Sequence, residues 1–217
     1  MIDMDRTSSY IESLDTGNGK FLDELERFSI ETDVPIIRKQ MQSFLKVMLK
    51  IQRPARILEV GTAIGFSAIL MAENTPEETE ITTIEKYEKR IPLAKENFLK
   101  SGYDKKITLL EGDATDILKE LADNNEKYNF IFMDAAKGQY INFLPDVKKL
   151  LSENGVLVTD NVLQDNTVIQ SKFTVERRDR TIHKRMRDYL YTLTHDNDLT
   201  TTILPVADGI AVSVNDK

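Results

Sequence analysis

Two short stretches, "FMDAAKGQY" (132–140) and "VTDNVL" (158–163), bring carboxylates and an amide to the ends of apolar runs. Asp134 closes the first run, and Asp160 with Asn161 closes the second. If the runs are neighbouring strands, under about 5 Å apart, the three side chains converge. The chain has no cysteine and neither histidine lies between them, so the set is all oxygen. Such a set suits a hard cation such as Mg²⁺, which keeps positions open for water and substrate oxygens. The plainer alternative is that Asp160-Asn161 caps the next segment while Asp134 sits in a turn. Two carboxylates crowded at one point repel, and a bound cation relieves that repulsion.

A third stretch, "RILEVGTAIGFSAIL" (56–70), runs from a strand-like spacing through Gly61 and Gly65 into a helix-like one. Glycines between a strand and a helix let the backbone approach a small polar ligand. "GTAIG" is neither the dinucleotide fingerprint nor the phosphate-cradling loop that ends in lysine. Acids crowd the neighbouring strand ends, so a pyrophosphate fits poorly. S-adenosylmethionine fits better, with a positive sulfonium, two ribose hydroxyls and an amino-acid end. Glu85, 24 residues after Gly61, ends the second strand, where it can accept both ribose hydroxyls. Ser67 and the free N–H groups of the first helical turn would take the carboxylate. Asp113 and Ala114 would border the adenine. Glu59, Gly61 and Asp134 complete the expected cofactor set.

These residues need a scaffold that brings strand ends together. Strand candidates are 56–61, 80–86, 106–113, 128–135 and 154–161, with helical spacing between them. Such alternation implies a parallel sheet covered on both faces. "TTTILPVA" and "GIAVSVN" then predict an antiparallel hairpin around Asp208-Gly209 at the sheet's edge. The first 53 residues read as helices, with "IIRKQMQSFLKVMLKI" one of them and Pro54 closing the region. The fold class is α/β: a doubly wound, Rossmann-like methyltransferase sheet, mostly parallel, with an antiparallel last strand and N-terminal helices. A length of 217 residues suits one domain, 1–217, with helices 1–53 packed on it.

Composition narrows the classes further. The lack of cysteine excludes disulfide scaffolds, thiolate metal sites and a cysteine nucleophile. The opening "MIDMDRTSSY" has no apolar core of a secretory signal, and no stretch reaches the roughly 18 apolar residues of a membrane span. A cytoplasmic protein without membrane contact is the expectation.

Found in this order, "ILEVGTAIGFSA", "DAAKGQY" and "TDNVL" resemble the cation-dependent O-methyltransferases, the family of catechol and caffeoyl-coenzyme A O-methyltransferases. The resemblance runs from about Pro35 onward. It implies Asp134, Asp160 and Asn161 as metal ligands, Lys137 beside the reacting hydroxyl, Glu85 on the ribose and helical residues near Ile37 against the cofactor. It also implies a homodimer through the N-terminal helices. The implied chemistry lowers the pKa of an acceptor hydroxyl held by its two adjacent oxygens, with Asp134 and Lys137 as the catalytic pair. Lys137 either takes the proton, which requires a depressed pKa, or stabilises the oxyanion.

The acceptor is the open question. The net charge of −7 argues weakly against a nucleic acid, but residues 165–187 carry seven Lys/Arg against three Asp/Glu. At 100° per residue, Arg177, Arg180, Lys184 and Arg187 share one helix face, opposite Ile182, Met186, Tyr189 and Leu193. With Arg178 and Arg185 they form either a solvated basic side or a phosphate-binding stripe. The order of the chain, with this stretch after "TDNVL", is similar to bacterial tRNA 5-hydroxyuridine methyltransferases. Their substrate base sits at the wobble position of the anticodon loop and offers adjacent oxygens. That substrate is the leading expectation. A small aromatic diol is the alternative, although the chain has no Trp to wall it. A non-catalytic RNA- or cofactor-binding protein is a third.

Overall fold

The computed structural model of the chain describes residues 4–164 and 167–217. Asp165, the first residue of the basic segment, lies outside the described residues, as does the start of "MIDMDRTSSY". Three helices come first: α1 (Met4–Ser13), α2 (Lys20–Glu31) and α3 (Lys39–Gln52). Strands β1 (Arg56–Val60), β2 (Glu80–Glu85), β3 (Ile107–Glu111), β4 (Tyr128–Met133) and β5 (Leu151–Thr159) follow. Between them lie α4 (Phe66–Glu73), α5 (Ile91–Ser101), α6 (Ala114–Asp123) and α7 (Tyr140–Leu150). Helix α8 (Arg180–His195) leads to β6 (Leu199–Leu204) and β7 (Ile210–Asn215).

The sheet order is β3-β2-β1-β4-β5-β7-β6. The first five strands pair in parallel, and β7 runs antiparallel to both β5 and β6. Alternation along the strands divides the core in two. Ile57, Phe130, Phe132 and Val158 pack with α2, α3, α4 and α5 on one face. Leu58, Val60, Ile131, Met133 and Leu157 pack with α6, α7 and α8 on the other. The antiparallel hairpin lies at the sheet's edge, as its sequence predicts. Its last strand lies inside the sheet and β6 forms the edge. Because β7 opposes β5, the turn that feeds it stands at the carboxyl ends of the parallel strands, where ligands bind.

Two helix starts differ from the sequence reading. Helix α3 begins at Lys39, because the chain after Pro35 is extended and Arg38 has φ −68° and ψ 156°. Ile37 is therefore not helical. Helix α8 begins at Arg180, so Arg177 lies in a turn and does not extend the helical stripe.

Candidate active site

Connections leave β1 and β4 towards opposite faces, which opens a crevice between their carboxyl ends. A cavity of about 450 Å³ lies there. Ile37, Gly61, Ser67, Glu85, Asp113, Ala114, Asp134, Lys137 and Asn161 line it. The close approach of the two strand ends explains one glycine. Gly61 has φ +108°, and a Cβ there would sit 2.1 Å from the Asp134 carbonyl oxygen. No other residue type fits.

Glu85 is held by its own loop. The Ala63 N–H donates to Oε2 at 2.8 Å, and the Lys86 and Tyr87 N–H groups donate to Oε1 at 2.9 and 2.8 Å. A carboxylate has about four acceptor sites, so about one remains for a ligand. Accepting both ribose hydroxyls would require one of these N–H groups to let go. Asp113 is the N-cap of α6: its Oδ1 accepts the Thr115 N–H at 2.9 Å, and Lys86 lies 3.2 Å from Oδ2. These partners hold its carboxyl below the usual range.

Glu59 does not line the cavity. It is fully buried beneath it, with Thr83 Oγ1 donating to Oε2 at 2.5 Å. Burial pushes its pKa up to about 7, against the pull of the Ser67 and Thr83 hydroxyls. Its Oε1 has no hydrogen-bond partner among the described residues. A buried acceptor beneath a cavity lined by Ser67 and Glu85 suits a ligand with an ammonium and a sulfonium, so these residues fit S-adenosylmethionine.

At the other end of the crevice, the Asp160 N–H donates to the Met133 carbonyl, which sets the ends of β4 and β5 side by side. Asp134 and Asn161 face the cavity, while Asp160 lies behind them and accepts the Asn161 N–H at 2.7 Å through Oδ1. Burial raises Asp134 to about 6, opposed by the Lys137 charge and helped by Asp208. Burial and the Asp134 charge raise Asp160 to about 7. Among the described residues, no three His, Cys, Asp or Glu side chains gather as a metal group. The available donors are thus two carboxylates and the Asn161 amide. Two carboxylates held against their own repulsion fit a divalent cation.

Tyrosines brace this corner. Tyr140 receives the Ala135 N–H and donates to the Asp160 carbonyl, both at 3.3 Å. Tyr189 bonds Thr159 Oγ1 at 2.6 Å and meets Tyr140 edge-on, centroids 5.6 Å apart. The sequence reading placed Tyr189 on the buried face but gave neither residue this role. Asp208 was also missed as a charge near Asp134 and Asp160, although its turn was foreseen.

The basic segment is less free than its spacing suggested. Arg185 donates to the Gly138 carbonyl at 3.0 Å, Arg187 to Val168 at 3.2 Å and Arg180 to Val175 at 3.2 Å. Arg178 pairs with Glu176 and Lys184 with Asp188. Ile182 is 38% exposed; the buried face is His183, Met186, Tyr189 and Leu193. Helix α8 nevertheless packs on the 3₁₀ turn Lys137–Gln139, where Ile182 and Arg185 meet Gly138.

The fold and crevice define a methyltransferase of the S-adenosylmethionine-dependent class. Residues 11–215 match the model of the O-methyltransferase family, and the chain belongs to that family. A Medicago sativa caffeoyl-CoA O-methyltransferase is 31% identical over 180 residues, 78% of this chain and 70% of the relative. A Staphylococcus aureus structure assigned to the caffeoyl-CoA O-methyltransferases superposes with TM-score 0.88 and 30% identity, covering 96% of this chain and 99% of that one. A Podospora anserina methyltransferase bound to S-adenosylhomocysteine gives 0.86 and 27%, covering 99% and 95%. The chain is an S-adenosylmethionine-dependent O-methyltransferase.

Proposed function

We propose that this enzyme methylates one of two adjacent oxygens on its acceptor with the help of a divalent cation held by Asp134, Asp160 and Asn161. The observation that carries this reading is the pair of repelling carboxylates at neighbouring strand ends, Asp134 lining the methyl-donor cavity and Asp160 just behind it. A bound Mg²⁺ would supply Lewis acidity that lowers the pKa of the acceptor hydroxyl. Lys137, on the 3₁₀ turn at the cavity wall, receives that proton or offsets the oxyanion's charge. Glu85, Ser67 and the start of α4 orient the donor, with Ile37 and Ala114 against it. Positioning supplies much of the acceleration.

The names of the relatives favour a small aromatic diol as the acceptor, such as a catechol or a caffeoyl ester. Phe66 and Phe143 line the cavity and would provide its apolar wall. A specific feature of this chain favours a second acceptor, 5-hydroxyuridine at the tRNA wobble position. Arg177, Arg178, Arg180 and Lys184 are exposed on and just before the helix that packs on the Lys137 turn, and such a group of cations suits the phosphates of a nucleic acid. Among the described residues, Tyr10, Ile11, Val47 and Ile51 leave apolar surface on α1 and α3, which the family's expected homodimer would cover.

Labelled S-adenosylmethionine, offered with total tRNA and separately with caffeic acid, tests the reading. Cation-dependent label on either acceptor supports it and chooses between the two. Label on neither, from folded protein that binds the donor, overturns both.

A further inference from the structure

We propose that the ion pair between Arg38 and Asp208 is a positioning clasp that closes one wall of the methyl-donor cavity. The inference rests on the donor site alone and does not depend on the acceptor. Pro35, Ile36 and Ile37 form that wall, in an extended segment with no helix of its own. From below it is held by Gln42, a fully buried side chain whose Nε2 donates to the Ile37 carbonyl at 2.9 Å. From the side it is held by the tip of the β6–β7 hairpin. Arg38 Nη1 lies 2.8 Å from Asp208 Oδ1, and the Ala207 N–H donates to Gln40 Oε1 at 3.1 Å.

The hairpin tip is itself fixed to the metal-ligand end of β5. The Val162 N–H donates to the Gly209 carbonyl at 2.9 Å, and the Leu163 N–H to the Asp208 carbonyl at 2.8 Å. Gly209 has φ +86°, and a Cβ there would lie 2.3 Å from Leu163 Cγ, so the tip and the 162–163 segment touch at backbone distance. Asp208 therefore joins two walls of the crevice that are distant in sequence. One holds the donor, and the other ends in Asp160 and Asn161. The Asp208 side chain is 11% exposed and that of Arg38 is 56% exposed. An ion pair with one solvent-exposed partner contributes little to global stability. Its effect is local, on the geometry of a wall that is also anchored by the buried Ile37 side chain, by the Gln42 N–H on the Arg38 carbonyl and by the Gln42 and Gln40 side chains. An ordered wall spares the donor the entropy of ordering it on binding.

Calorimetric titration of S-adenosylmethionine into wild type, Arg38→Met, Asp208→Ala and Arg38→Lys, with EDTA present, tests the clasp. Arg38→Met and Asp208→Ala should each weaken donor binding fivefold or more. Arg38→Lys, which keeps the charge, should stay within twofold of wild type. Amide exchange at Ile36–Arg38 should quicken in the first two variants, with melting temperatures close to wild type. Should Asp208→Ala fail to fold, Arg38→Met carries the test from the surface side. The proposal is overturned if Arg38→Met binds within twofold of wild type, or if Arg38→Lys loses as much as Arg38→Met. It is also overturned if affinity falls only in step with melting temperature, which marks a general stabilising contact. Wild type that fails to bind the donor would instead overturn the donor site itself.

Discussion

Burial and the Asp134 charge raise the pKa of Asp160 across the ends of β4 and β5 to about 7, and burial raises Asp134 itself to about 6. In ordinary surroundings both would titrate near 3.8. Between about pH 4 and 7 the folded protein thus keeps protons that the unfolded chain has released. Stability of the metal-free protein consequently falls as pH rises through that window. A cation that replaces those protons helps most above it. Mg²⁺ at millimolar concentration should raise the melting temperature more at about pH 8 than at about pH 5. Equal shifts at both pH values would separate the carboxylates from the cation.

Asp160→Asn removes the repulsion while Asn Oδ1 still accepts the Asn161 N–H that now reaches Asp160 Oδ1 at 2.7 Å. Metal-free protein carrying this change should melt higher than wild type at about pH 8. It should also lose the Mg²⁺-dependent shift. A variant that melts lower, with the Mg²⁺ response intact, would show that Asp160 is not a ligand.

Glu85→Ala should weaken S-adenosylmethionine binding by roughly 1.5–3 kcal/mol, the range for hydrogen bonds to a charged group. The same change frees the Ala63, Lys86 and Tyr87 N–H groups, so a modest loss of stability should accompany it. Calorimetry at a temperature where the variant is folded isolates the binding term. Unchanged affinity would remove Glu85 from the donor site.

Arg180→Ala with Lys184→Ala tests the RNA acceptor, since both residues are exposed on the helix that packs on the Lys137 turn. If they contact phosphates, tRNA binding should weaken and its dependence on log salt should flatten by about one unit per lost contact. Donor affinity should hold, because neither residue lines the cavity. Unchanged tRNA affinity and salt slope would leave the small diol as the acceptor.

The strand ends were legible because short apolar runs, here buried on both faces, and the residues that stop them are local signals. Gly61, Glu85, Asp134 and Asn161 were placed at one crevice on that basis, and all four line it. Glu59 was not, because alternation sets a strand residue's face but says nothing of its depth. It points towards the α4 side and is sealed under Thr83. Arg185 and Arg187 read as surface charges because their carbonyl partners, Gly138 and Val168, are far away in sequence. Ile37 read as helical because apolar spacing continues smoothly across Arg38, where the backbone is extended. Asp208 marked a turn. That its turn would fold back on residues 162–163 follows from β7 lying beside β5, a pairing that no local pattern encodes.

Turnover with and without a divalent cation tests the central claim most directly. Purified enzyme, labelled S-adenosylmethionine and whichever of total tRNA or caffeic acid accepts label should be assayed after EDTA treatment, then again with Mg²⁺ restored in excess. The placement of Asp134, Asp160 and Asn161 predicts that chelation abolishes methyl transfer and that Mg²⁺ brings it back. Donor binding in EDTA should persist, since Ser67, Glu85 and the start of α4 lie at the other end of the crevice. Full turnover in the chelated enzyme would contradict the assignment of these residues as a cation site.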